Sequence, residues 1–118
     1  MSLPYKDADF VEATKHRLFL TLASDATAND SDTLEVYETE VDVDNNNASY
    51  TMTVYLPSVA AARGRSYAIR GTDFGAGVVI ADQDDSLEWS DLTMDADGEY
   101  ALLYSDGRQW HTLVTDIA

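Results

Sequence analysis

Apolar residues along this chain recur mostly at every second position, the period of a strand with one buried face. In RLFLTLA, residues 17–23, Leu18, Leu20 and Leu22 share a side. The run TLEVYETEVDV, residues 33–43, starts with Leu34 and Val36 in phase and then shifts to Val41 and Val43. A slip of this kind predicts a bulge near Tyr37 or a short turn that divides the run. The clearest alternation is ASYTMTVYL, residues 48–56, with Tyr50, Met52, Val54 and Leu56 set against Thr51, Thr53 and Tyr55. SYAIRG (66–71) and GVVIA (77–81) read as further strands, punctuated by Gly71, Gly75 and Gly77. LEW and DLTMD read as strand fragments around a bend, and DADG as a turn before EYALLY, residues 99–104. QWHTLV, residues 109–114, closes the series with Trp110, Thr112 and Val114 on one face. Between the last two strands, Asp106-Gly107 predicts a two-residue type I′ hairpin, because both central residues of that turn need positive φ.

Helix has two candidate places. Pro57 to Gly64 offers Ser58 as a first-turn cap and Gly64 as a stop, enough for one or two turns. Ala8 to His16 carries Phe10, Val11 and Thr14 on one side. Residues 1–15, with Pro4 and little alternation, read as an extended arm leaving the domain. The expectation is all-β: a small β-sandwich or barrel of about seven to eight short antiparallel strands, formed by residues 16–118, with an N-terminal arm.

Composition narrows what such a domain does. In 118 residues there are 22 acidic and 7 basic side chains, a formal net charge of −15. That charge repels phosphate backbones and anionic lipid and argues against a nucleic-acid or membrane partner. A hydrophobic content of 45% suffices for one core. No apolar run approaches the roughly 18 residues of a membrane span, and MSLPYKDADF lacks the basic start and apolar stretch of a secretory signal. Asp outnumbers Glu by 16 to 6, which suits either a saline habitat or plain solubility through like-charge repulsion.

Catalytic and metal chemistry find little purchase. There is no cysteine, so disulfides and thiolate metal sites are excluded. His16 and His111 have no zinc-ligand spacing, and neither a P-loop nor a G-x-S-x-G elbow occurs. A Ser-His-Asp set assembles in space, so sequence leaves it open. Aligning Gly98 with the glycine of a calcium loop puts Thr93 first and Tyr104 last, without the bidentate Glu, so DADG reads as a turn. Asp82, Asp84 and Asp85 cluster at a loop, where solvated turns are commoner than cation sites. No enzyme activity, cofactor or metal is expected. Arg63, Arg65 and Arg70 lie within eight residues, and Arg108 sits in the final turn. Arginine pairs bidentately with carboxylates, so these fit an interface with an acidic surface or, alternatively, intramolecular relief of self-repulsion. Seven tyrosines and two tryptophans suit either an interaction surface or an ordinary core.

Three segments, LPSVAAARGRSYAI, the glycine-rich bend before VVIADQDDS, and DADGEYALLYSDGRQWHTL, give residues 50–113 a likeness to a known module. The stretch resembles a β module of small structural proteins of tailed bacteriophages, among them capsid decoration proteins and fibre-like appendages. The resemblance implies a virion protein on the outer surface of the head, made in the host cytoplasm, whose partner is the major capsid protein of the same virus. It also implies a homotrimer with arms that clamp neighbouring shell subunits. Interface residues would then be Leu3, Pro4, Tyr5 and Phe10 of the arm, with Arg63, Arg65, Arg70, Arg108 and Trp110 of the domain. The alternative is a receptor- or glycan-binding module of a fibre, with Trp89, Trp110 and tyrosines as a sugar-stacking face beside Asp82 to Asp85.

Overall fold

The computed structural model describes residues 17–73, 75–87, 89–95 and 99–116. The expected arm, with Leu3, Pro4, Tyr5 and Phe10, and the helix candidate ending at His16 lie outside these residues. Nine strands form: β1 (Arg17–Leu22), β2 (Asp30–Thr33), β3 (Glu40–Asn45), β4 (Met52–Tyr55), β5 (Ser66–Asp73), β6 (Val78–Ala81), β7 (Leu92–Met94), β8 (Tyr100–Ser105) and β9 (Trp110–Asp116). They make two sheets, one in the order β1-β3-β5-β8-β9 and one in the order β2-β4-β6-β7. Neither sheet closes into a barrel.

The expected all-antiparallel pairing does not form. From β1 to β6 the chain alternates sheets, so each return enters its sheet in the direction of the preceding strand. β1 pairs parallel with β3, β3 with β5, β2 with β4, and β4 with β6. Parallel neighbours need a long crossover, and here the crossover is a strand of the other sheet. Only the last three pairings, β6 with β7, β5 with β8 and β8 with β9, are antiparallel.

One core cluster draws on both sheets. Leu20, Val41, Val43, Tyr67, Ile69, Leu103 and Trp110 come from the five-stranded sheet, and Met52, Val54, Val78, Ile80 and Met94 from the other. Each buried aliphatic or aromatic side chain contributes about 1.5–3 kcal/mol over its exposed state. The inward phase read from the sequence holds for β1, β3 and β4. The slip near Tyr37 is a turn at Val36 and Tyr37, which separates β2 from β3.

Three local expectations are corrected, and one strand is added to those the sequence predicts. DSDT forms β2 although all four residues are exposed, because an edge strand beside β4 needs backbone pairing and no apolar face. Residues 57–64 are turns and not a helix: one helix-like bond, Ala62 N–H to the Ser58 carbonyl, forms, and Gly64 at φ +80° reverses the chain. LEW is not a strand among the described residues. The final hairpin has a four-residue loop, Asp106 to Gln109, closed by Ser105 opposite Trp110. Only Gly107 of that loop has positive φ, and the Asp106 carboxylate accepts the Arg108 and Gln109 N–H groups, which supplies the turn that a type I′ pair would have made.

Candidate functional site

The chain's alternation between sheets sorts its loops into two groups. Residues 23–29, 46–51 and 75–77 follow β1, β3 and β5 and lie at one end. Residues 34–39, 56–65, 82–87, 89–91 and the 106–109 hairpin lie at the other.

At the first end, asparagines close the structure. Asn45, fully buried, donates from Nδ2 to the Tyr50 and Gly77 carbonyls at 3.0 Å each, and its Oδ1 accepts the Asn47 N–H. Asn47 donates to the carbonyls of Ala23, Ser24 and Ala26, and its Oδ1 accepts the N–H groups of Ser49 and Tyr50. Two side chains therefore satisfy the buried backbone of three loops. Gly75, at φ +47°, sits where a Cβ would lie 2.2 Å from the Asn47 carbonyl oxygen. Only glycine fits that approach. The sequence carries a trace of this device, three consecutive asparagines at 45–47, but alternation counting assigns polar loop residues no role.

At the second end, the 57–65 turn packs on the 106–109 hairpin. Gly64 N–H donates to the Ser105 carbonyl, and Ser105 N–H to that of Arg65. The Ser105 hydroxyl donates to the Val59 carbonyl and accepts Gly107 N–H. The Arg63 stem covers Gly107, within 2.8–3.3 Å of where a Cβ would stand. Arg63, Arg65 and Arg108, all exposed, thus share one surface. The ion pairs among the described residues are Arg70–Asp42 and His111–Asp106, so these three guanidiniums have no carboxylate partner there.

Arg70 does not join them. It stands on β5 directly opposite Asp42 of β3 and binds it at 3.1 Å, the intramolecular alternative that its sequence allowed. The pair lies beside a groove of about 400 Å³ on the outer face of the five-stranded sheet, lined also by Ala68, Tyr100, Leu102 and Val114. Trp110 is 2% exposed and meets Tyr67 edge-on at 5.5 Å, inside the core. It offers no surface to a partner, and the sugar-stacking face expected of Trp89 with Trp110 does not form. Trp89 is half-buried and donates to the Thr112 hydroxyl.

The titratable groups hold loops together. Asp106 accepts His111 Nε2 at 2.8 Å and two backbone N–H groups, which keep its carboxyl well below the usual carboxylate range. Ser105 completes no triad with this pair, because its buried hydroxyl is committed to Val59 and Gly107. Burial raises the Tyr67 phenol, partly offset by Arg65, and its hydroxyl donates to the Val36 carbonyl. Desolvation, then the charges of Asp82 and Asp84, raise Asp91. In the acidic loop, Asp85 accepts Val59 N–H and Asp82 accepts Ser86 N–H. Among the described residues no three His, Asp or Glu side chains converge as a metal site would require. No protein-family model, no curated protein and no solved structure matches the chain.

Proposed function

We propose that this chain is a non-enzymatic structural protein that decorates the outside of a virus head, and that its two sheets act as a β-sandwich scaffold for docking. The observation that carries the reading is the arginine end. In a chain of net charge −15, Arg63, Arg65 and Arg108 share a surface and have no carboxylate partner among the described residues. Exposed guanidiniums on a rigid turn and hairpin suit bidentate capture of carboxylates on a partner's surface. Glu35, Glu38, Asp82, Asp84, Asp85 and Asp91 lie in loops of the same end, so the three guanidiniums themselves, and not the net charge of that end, would make the contact with an acidic surface. The likeness of residues 50–113 to phage β modules directs that docking to the major capsid protein, with residues 1–15 as the clamp.

Composition analysis of virus particles banded from the source's lysate tests this. The expected result is this chain in fixed proportion to the shell protein, lost from particles when residues 2–12 are deleted. Particles that lack the full-length chain would sink the reading.

A further inference from the structure

Four strands edge the two sheets, and they are protected very differently. β2 carries Asp30 and Asp32 along its edge, and β7 is three residues long between Asp91 and Asp95. Charge and shortness both discourage pairing with another chain. β1 starts at Arg17, the first of the described residues. β9 is seven residues long, and from His111 to Thr115 it has neither aspartate, glutamate, lysine, arginine nor proline. Its first residue is covered, since Trp110 N–H donates to the Ser86 hydroxyl. From His111 to Asp116 its backbone pairs only with β8 among the described residues. Leu113 is 53% and Val114 46% exposed on this edge.

The segment His111-Thr112-Leu113-Val114-Thr115-Asp116 is complementary to itself read backwards. Around an axis between Leu113 and Val114, antiparallel pairing sets His111 against the partner's Asp116, Thr112 against the partner's Thr115, and Leu113 against the partner's Val114. Polar, threonine and aliphatic pairs are favourable cross-strand neighbours. The faces agree as well. His111, Val114 and Asp116 stand opposite Tyr104, Leu102 and Tyr100, which face outward, while Thr112 and Thr115 stand opposite the buried Leu103 and Ala101. Leu113 is the extra residue of a bulge. With the exposed Leu113 on the same side as its neighbour Val114, that insertion would make the pattern of outward and inward residues symmetric about the axis and set bulge against bulge. A shift by one residue would oppose outward to inward side chains, which fixes the register.

We propose that β9 is a strand-pairing site for a second copy of this chain, in that antiparallel register, giving a two-fold dimer with a ten-stranded sheet. Leu102 and Val114 then extend the groove wall toward the axis. The dimer is independent of where the protein works, and stands in place of the trimer that the phage resemblance implies. Because both copies carry −15, screening of their repulsion strengthens the pairing.

Sedimentation velocity on the full chain, over a concentration series at about 0.15 M and 1 M salt, reads the mass. The expected result is twice the chain mass at high protein concentration, with the dimer fraction rising with salt. Leu113→Lys/Val114→Lys, which changes exposed positions only, is expected to give the chain mass throughout, with a melting temperature equal to the natural chain's at dilutions where that chain is monomeric and below it where that chain is dimeric. An equimolar mixture of Thr112→Cys and Thr115→Cys chains is expected to oxidise to a cross-linked pair, and neither variant alone to do so; the natural chain has no cysteine to confuse the readout. A wild-type chain that stays monomeric throughout, a lysine variant that still dimerises, or a mixture that fails to cross-link would each overturn the proposal.

Discussion

The two ends of the molecule solve different problems with the same kind of residue, the polar loop side chain. At the asparagine end, amide groups are buried and spent on backbone atoms, and loops 23–29, 46–51 and 75–77 contain neither lysine nor arginine. At the arginine end, Asp85, Ser105 and Asp106 satisfy the backbone, while three guanidiniums stay on the surface without a partner among the described residues. A buried, satisfied polar group belongs to the fold. An exposed charge that the fold does not use is available to a partner.

The largest effects should come from breaking the asparagine end. Asn47→Ala removes five hydrogen-bond partners from buried or half-buried backbone at once, and each orphaned group costs about 1–3 kcal/mol. Water reaches some of them, so a loss of about 3 kcal/mol or more is expected by urea denaturation. Gly75→Ala should be comparably harmful, because its methyl collides with the Asn47 carbonyl. A loss below about 1 kcal/mol in both would mean that the three loops close without the asparagines.

A smaller effect is expected from Asp106. Its folded carboxyl lies below the ordinary value, so the stability it contributes is present above about pH 4 and is lost as pH falls through its folded value. Asp106→Ala should therefore lower the melting temperature at neutral pH, and the gap to the natural chain should narrow on acidification. A gap that does not change with pH would show that the carboxylate's charge is not what holds the hairpin.

Much of the core was legible in the chain and much of the topology was not. Alternation in RLFLTLA and SYTMTVYL named Leu20, Leu22, Met52, Val54 and Leu56 as inward residues because burial on one face leaves a period of two. Direction leaves no such trace. Nothing in VDV or YAIRG says whether the neighbouring strand runs parallel, and that depends on which sheet the chain visits between them. DSDT was invisible as a strand because an exposed edge carries no apolar residue. Of the arginine group, proximity in sequence was a fair guide for Arg63 and Arg65 but not for Arg70, which strand register places opposite Asp42. Arg108 joins them only through the packing of the hairpin on the 57–65 turn.

The smallest effect on stability is expected at the arginine end, where exposed substitutions stay within about 0.5 kcal/mol each. That contrast gives the most direct measurement of the central claim: binding of the Arg63→Gln/Arg65→Gln/Arg108→Gln chain to virus particles stripped of this protein, beside its melting temperature. The expected result is a nearly unchanged melt and particle binding that falls at least tenfold, about 1.4 kcal/mol. Undiminished binding by a variant that melts normally would contradict it.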